Sequence, residues 1–520
     1  MLLTFIIFIP LLGAAFLALL PRSNDRLIRD SALATALLDL LLCLPLLFLF
    51  DYTAEGFDKA LAESHAWIPA LGVGYSLDID GLSLVLVVLT CLLSFVSVLC
   101  SFSAITDRVK EYYFLLLMLQ TGMLGTFLAS DLFLFFVFWE LMLVPMYFLI
   151  GVWGHEHRIY ASIKFFLYTA FGSALMMIAI LWVYFAAWNA AGTPSFALDR
   201  FYEMSFSVTA QRWLFAAFFL AFAIKMPLFP FHTWLPYAHT EAPTAGSVIL
   251  AGVLLKTGVY GFLRFALPMF PDGAVFFAPT IMILALIGIV YGALTAMAQS
   301  DVKRLVAYSS VSHMGMLLAG ILAFNVEGIS GGIIQMLNHG LSTGGLFLIV
   351  GIIYERRHTR EVSEFGGLAA IMPVYAAYFS IIMLSSIGLP GLNGFIGEFL
   401  ILLGLMGKSI LCTAIAATGV IFGACYMLRV YQKMMFGPVR VEANRGLSDL
   451  NAREILTLLP LVLFCFWIGL NPRPLQKTIE PSARNIVRIM AEHQTQPSWV
   501  DRWSAMVSAE PIAPEPDRSR

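Results

Sequence analysis

Charge is what this sequence has least of. Of 520 residues, 31 are Lys or Arg and 33 are Asp or Glu, 12% in all, where an ordinary soluble domain carries about 25%. That shortage excludes most soluble architectures. The formal net charge of −2 leaves no basic footprint, so no nucleic-acid partner is expected. Cysteine is scarce too: Cys43, Cys91, Cys100, Cys412, Cys425 and Cys465 are scattered through apolar stretches without C-x-x-C spacing. The pattern speaks against a disulfide framework, structural zinc and iron–sulfur ligation. The phosphate-cradling G-x-G-x-x-G and Walker A loops are missing, as is H-E-x-x-H. The chain should therefore hold no nucleotide, flavin or metal ion of its own.

What is present is apolar sequence, 60% of the residues. Runs near twenty residues recur, and at about 1.5 Å of rise per residue each crosses the ~30 Å hydrocarbon layer of a bilayer. The expected fold is an all-α polytopic membrane protein with fourteen spans, approximately 2–20, 30–50, 81–103, 112–129, 132–152, 161–188, 211–237, 243–268, 275–298, 302–323, 329–354, 371–407, 411–436 and 453–472. The first run lacks a charged leader and a small-residue cleavage site, so it reads as a helix and not as a signal peptide.

Alternate connections collect positive charge: Arg22, Arg26 and Arg29; Arg108 and Lys110; Arg158; Lys303 and Arg304; Arg356, Arg357 and Arg360; then Arg429, Lys433, Arg440, Arg445 and Arg453. About sixteen basic residues on that side face about five on the other, which by the positive-inside rule makes the first side cytoplasmic. Both termini then face outward, to the periplasm if the bilayer is a bacterial inner membrane.

Two spans are interrupted by proline, the seventh in Lys225-Met-Pro-Leu-Phe-Pro-Phe-His and at Pro236, the twelfth in Gly388-Leu-Pro-Gly-Leu-Asn-Gly394. Proline removes a donor and clashes with the preceding turn, and a broken helix inside a membrane needs protein or a watery cavity to satisfy its freed backbone groups. The breaks lie five helices apart, and an odd offset reverses direction across the bilayer. This predicts two inverted repeats, helices 4–8 (111–270) and 9–13 (271–440), between an N-terminal unit of helices 1–3 (1–110) and helix 14 with a polar tail (441–520). Residues 475–492 should form an amphipathic surface helix. The Pro-rich end, Glu510-Pro-Ile-Ala-Pro-Glu-Pro, should be disordered.

About half a dozen ionisable groups fall deep inside the spans, where each costs on the order of 2.5–3.5 kcal/mol to insert. Glu140 lies nine residues beyond Asp131, a residue expected at the outer edge. Lys225 stands at the break of helix 7, Lys256 midway along helix 8, His313 in helix 10, His339 in helix 11 and Glu398 just after the break of helix 12. Burial disfavours the charged form of such groups, and a neighbour of opposite sign favours it, so they can exchange protons when a partner moves. The expected scheme has Glu140 and Lys225 as a switchable ion pair that sets the proton affinity of Lys256, with His313 and His339 leading on to Glu398. Lys164, nearer the cytoplasmic end of helix 6, and Asp131 are weaker candidates. His155-Glu-His157 lacks a third ligand nearby and reads as a solvated loop, not a metal cluster.

The residues around these charges are WELMLVPMYFLIGVWG (139–154), KFFLYT (164–169), KMPLFPFHTWLP (225–236), EAPTAGSVILAGVLLKTGVYG (241–261), LVAYSSVSHMG (305–315) and GLPGLNGFIGEFLIL (388–402). They resemble the subunit M family of respiratory complex I, the proton-translocating NADH:quinone oxidoreductase, from about residue 1 to 470. The resemblance implies a subunit that moves protons in a larger assembly. Its partners would be other membrane subunits, among them sister antiporter-like chains. Flavin, iron–sulfur clusters and quinone would then belong to partner subunits. It also implies Glu140 and Lys225 as the coupling pair, Lys256 as the central relay, His313 and His339 as connecting groups, and Glu398 as the terminal group. Glu398 favours this family over the related D-type subunit of a multisubunit sodium/proton antiporter, which resembles it but carries lysine there. A mere membrane scaffold would not retain so many costly buried charges. One departure is Tyr237, in LPYAH where the family usually has LPDAH; Glu241 or His239 would have to compensate for the lost carboxylate.

Overall fold

The computed structural model describes residues 1–497, so the Pro-rich end lies outside the described residues. Among the described residues, fourteen apolar helices follow the expected order. The first six are α1 (Leu2–Leu19), α2 (Asp25–Cys43), α3 (Gly81–Ala104), α4 (Val109–Leu128), α5 (Leu132–Leu141, resumed as Leu143–Trp153) and α6 (Arg158–Ala191). Next come α7 (Val208–Lys225, resumed as Trp234–Glu241), α8 (Thr244–Met269), α9 (Pro271–Met297) and α10 (Val302–Ile321). Then follow α11 (Val326–Arg357), α12 (Pro373–Ser386 and Asn393–Met406), α13 (Ile410–Met435) and α14 (Ala452–Leu470). Among the described residues, 11 helices are long and apolar enough to cross a membrane unaided; α4, α10 and the divided α12 complete the set.

The helix starts have local causes. Asp80, Asp131, Asp301 and Asn325 each turn a side-chain oxygen onto the first free N–H groups of α3, α5, α10 and α11, and Asn451 with Glu454 forms a capping box on α14. Asn24 does the same for α2, which therefore begins at Asp25, earlier than its apolar run suggested.

One feature departs from an all-helical chain. Between α2 and α3 the segment forms an antiparallel hairpin, β1 (Glu63–Ile68) and β2 (Val73–Leu77), turned at Gly72 with φ +66°. Glu63 ties it to the chain start, meeting the Met1 amino group at 2.6 Å and accepting from the Leu3 N–H at 2.8 Å.

The connections sort onto two ends of the bundle. At one end Lys110 donates to the carbonyls of Ala18 and Leu20, Arg22 pairs with Glu111, the Trp153 indole donates to Asp107, and Arg360 donates to Thr240. These are the connections that carry the clustered basic residues. The opposite end holds the hairpin, the contact between the Asp78 N–H and Leu128, and Asp272, which accepts from Thr495 and Gln496. The polar tail folds back there as α15 (Arg473–His493), which buries Leu475, Ile479, Ala483 and Ile486 on one side.

Candidate functional site

Both expected breaks are present. After Lys225 the α7 backbone leaves the helix, and the carbonyl of Ile224 is taken up by the Trp234 indole N–H at 2.8 Å. In α12 the chain turns through Gly388 and Gly391, with φ +71° and +94°, conformations open to glycine without strain. The Asn338 amide then reaches across from α11 to the Asn393 carbonyl at 2.7 Å. A third interruption was not anticipated: α5 is broken at Met142, two residues after Glu140, where Pro145 has no N–H to give to Leu141.

Lys256 is fully buried in α8. Wider, π-helical turns at Leu250–Leu254 and Phe262–Ala266 flank it. Such turns misalign the backbone ladder and release carbonyls, and the ammonium takes the one on Ala251. Its other partner is Nδ1 of His339 at 2.7 Å. The approach is possible because α8 and α11 meet through glycines: a Cβ on Gly340 would stand 3.0 Å from the Gly252 carbonyl. His339 in turn stands edge-on to His313, with ring centroids 5.6 Å apart. His339 Nε2 and His313 Nδ1 are buried without partners, so each has hydrogen-bonding capacity left for water.

Glu398 is buried beside Gly388, in the space that a side chain at that glycine would fill. Tyr426 of α13 stands beside Ser309 of α10 and within electrostatic reach of Glu398.

Glu140 and Lys225 are near one another but not joined. The Lys225 ammonium lies 5.0 Å from the Trp139 ring and 5.9 Å from that of Phe165, while Oε1 of Glu140 is buried without a partner. Glu140 is nevertheless the opposite charge within electrostatic reach of Lys225.

The weaker candidates lie apart. Asp131 is a cap: Oδ1 accepts from Phe133 and Leu134 at 3.0 Å, and Oδ2 from Gly74 at 2.9 Å. Lys164 sits over the Tyr237 ring at 4.3 Å, with Tyr160 and Tyr168 at 5.7 and 5.9 Å. Tyr237 thus meets Lys164 by a cation–π contact.

Several buried titratable groups had no place in the expected relay. Lys303, counted there among the loop charges, is buried, and its ammonium donates to the Ala242 carbonyl at 2.5 Å. His239 is fully buried within electrostatic reach of Lys303 and Lys256, stacked on Phe347 at 4.5 Å with neither ring nitrogen partnered. At the basic end a cavity of about 470 Å³, lined by His155, Glu241, Asp301, Arg304, Tyr354 and Arg360, opens beside them. Arg264 and Asp80 form a buried ion pair of 2.5 Å at the opposite end. Asp39 is fully buried in α2. Each sits within or beside an apolar run where one residue alone gives little signal, and only its distant partner marks it.

Comparison with known proteins agrees with this architecture. The family model described as "NADH:quinone oxidoreductase/Mrp antiporter, TM" matches residues 129–423. The NADH-quinone oxidoreductase subunit M of Rickettsia prowazekii is 42% identical over 486 residues, covering 92% of this chain and 97% of that protein. A chain of respiratory complex I from Thermus thermophilus superimposes with a TM-score of 0.85 at 34% identity, covering 94% of this chain and 100% of that one. A chain of the Mrp complex from Dietzia shares the fold, with a TM-score of 0.79 at 21% identity over 95% of this chain and 99% of its own. With 42% identity across nearly its whole length, this chain belongs to the subunit M family of the NADH:quinone oxidoreductases.

Proposed function

We propose that this chain is the proton-translocating membrane subunit of an NADH:quinone oxidoreductase, moving protons through its buried charges while electron transfer occurs in other chains. The observation that carries the reading is the 2.7 Å contact between Lys256 and His339, which joins two helices deep in the apolar interior. Burying a cation without a carboxylate is costly, and the expense has no packing benefit, which favours a functional role.

In this reading a proton is taken up at the cavity beside Glu241 and reaches Lys256 by way of His239. It passes to His339 through the contact already made, then over water across the edge-on ring pair to His313 and past Tyr426 to Glu398. Glu140 and Lys225 act on this line from the side. Closing that pair would neutralise Lys225, and opening it would restore a positive charge near Lys256, so a conformational change elsewhere could drive the proton on. Helices 4–8 and 9–13 would be the two inverted repeats that carry the two halves of the line.

The chain itself would hold no cofactor, with flavin, iron–sulfur clusters and quinone in partner subunits. Its neighbours would include sister antiporter-like chains, and the basic end would face the cytoplasm of a bacterial cell, with both termini outside. Purifying the tagged chain from its own membranes tests the assignment. Subunits with bound flavin and iron–sulfur clusters should come with it, together with NADH:quinone activity. Recovery with antiporter chains alone would overturn it.

A further inference from the structure

Asp39 takes no part in the line just described. It stands fourteen positions after Asp25, about 21 Å along α2, and is fully buried against α3 and α4. Its Oδ2 accepts from the Gln120 amide at 2.5 Å and from the Cys91 thiol at 3.5 Å. Its Oδ1 has no partner, and neither does Oε1 of Gln120. An ionised Asp39 would leave an anionic oxygen bare in an apolar bundle. A protonated one would leave a hydroxyl with nothing to accept its hydrogen. Either state calls for water at Oδ1.

The neighbouring side chains supply a place for more water. On α3, Cys91, Ser94, Ser97 and Ser101 recur at helical spacing on one face. The hydroxyls of Ser94 and Ser97 are buried without partners. Ser101 meets Tyr112 of α4 at 3.0 Å and Asp39 bridges Cys91 to Gln120, and the two serines lie between these contacts along α3. Tyr113 adds a third buried, unpartnered hydroxyl at the Ser101 end. Beyond it Arg29 donates to the Ile105 carbonyl at 2.9 Å and keeps a buried, unpartnered Nε, at the end of the molecule where the basic connections gather.

The charges around Asp39 are few. Cys91 faces it from α3 and Gln120 from α4, Cys43 lies one turn further along α2, and α1, also packed on α2, carries no titratable side chain. No lysine, arginine or second acid touches it among the described residues.

We propose that Asp39 is a second proton-binding site, reached by water from the Arg29 end along Tyr113, Ser97 and Ser94. A proton from that aqueous side adds to Oδ1, converting carboxylate to carboxylic acid, and leaves by the same route; no other bond changes. The site stands on its own geometry, so its test is separate from that of Lys256.

The test uses the assembled complex in sealed membranes. pH-difference infrared spectra should contain a carboxylic acid C=O band that disappears in Asp39→Asn, moves in Asp39→Glu and shifts in D2O. In a Cys91→Ala background, the thiol of Ser97→Cys should react with a small water-soluble methanethiosulfonate at least tenfold faster than the buried Cys465. The proposal is overturned if the band survives both Asp39 substitutions unchanged, or if Ser97→Cys reacts no faster than Cys465. Should Asp39→Asn fail to assemble, Asp39→Glu alone decides: an unmoved band overturns the proposal.

Discussion

Lys256 and His339 are 83 residues apart in the chain and meet at 2.7 Å, on helices held together by a glycine of each. Because the contact depends on that close approach, it can be loosened without touching either titratable group. An alanine at Gly340 would press on the Gly252 carbonyl and on Leu89, whereas one at Gly344 would find only ordinary contacts of 3.7 Å. Gly340→Ala should reduce proton pumping severalfold and cost about 1–3 kcal/mol of stability. Gly344→Ala should do neither. Pumping in vesicles and thermal unfolding of the assembled complex check the pair; equal effects of the two would contradict the argument.

Tyr237 offers a second test at the basic end. Its ring holds Lys164 by a contact worth on the order of 0.5–1 kcal/mol at an exposed site. Tyr237→Phe keeps the ring face and should leave the pH profile of pumping unchanged. Tyr237→Asp supplies a carboxylate beside Lys164 and should shift that profile. An identical profile for both would mean that position 237 only packs.

The Arg264–Asp80 pair should behave as structure. Removing one partner from a buried pair leaves a bare charge and costs about 3–5 kcal/mol. Asp80→Asn should therefore lower the yield of assembled complex sharply, and adding Arg264→Leu should recover part of it. Full yield from Asp80→Asn alone would contradict this.

His155, in the connection between α5 and α6, gives a pH prediction with a definite sign. Burial, reinforced by Lys303 and Arg360, pushes its imidazole down from 6.5 to about 4. The unfolded chain therefore takes up a proton on His155 before the folded one does, and the folded state loses ground as pH falls from 6.5 toward 4. His155→Gln should flatten the acid-side fall in Tm across that window. An unchanged slope would show that His155 is not protonated on unfolding.

The helices and the two proline breaks were legible because a span announces itself in twenty consecutive residues, and proline acts on its own turn. Lys225, Lys256 and Glu398 stood out against apolar surroundings for the same reason. What could not be read was which of them meet, since Lys256 and His339 come together only through distant glycines. The hairpin at Glu63–Leu77 was invisible to a search for apolar runs, because it is short and half polar. Asp39 and Arg264 were missed inside spans already assigned as membrane helix, and Lys303 was placed with loop charges although α10 begins at Val302 and buries it. The domain limits at 110, 270 and 440 rest on the repeat alone and remain part of the proposal.

The central claim is that protons pass through Lys256. Its most direct test is Lys256→Ala in the assembled complex, reading proton uptake into sealed vesicles per NADH oxidised. Loss of at least half of the pumping per electron, with the complex assembled, is the predicted result. Pumping equal to that of the unmodified complex would contradict the account.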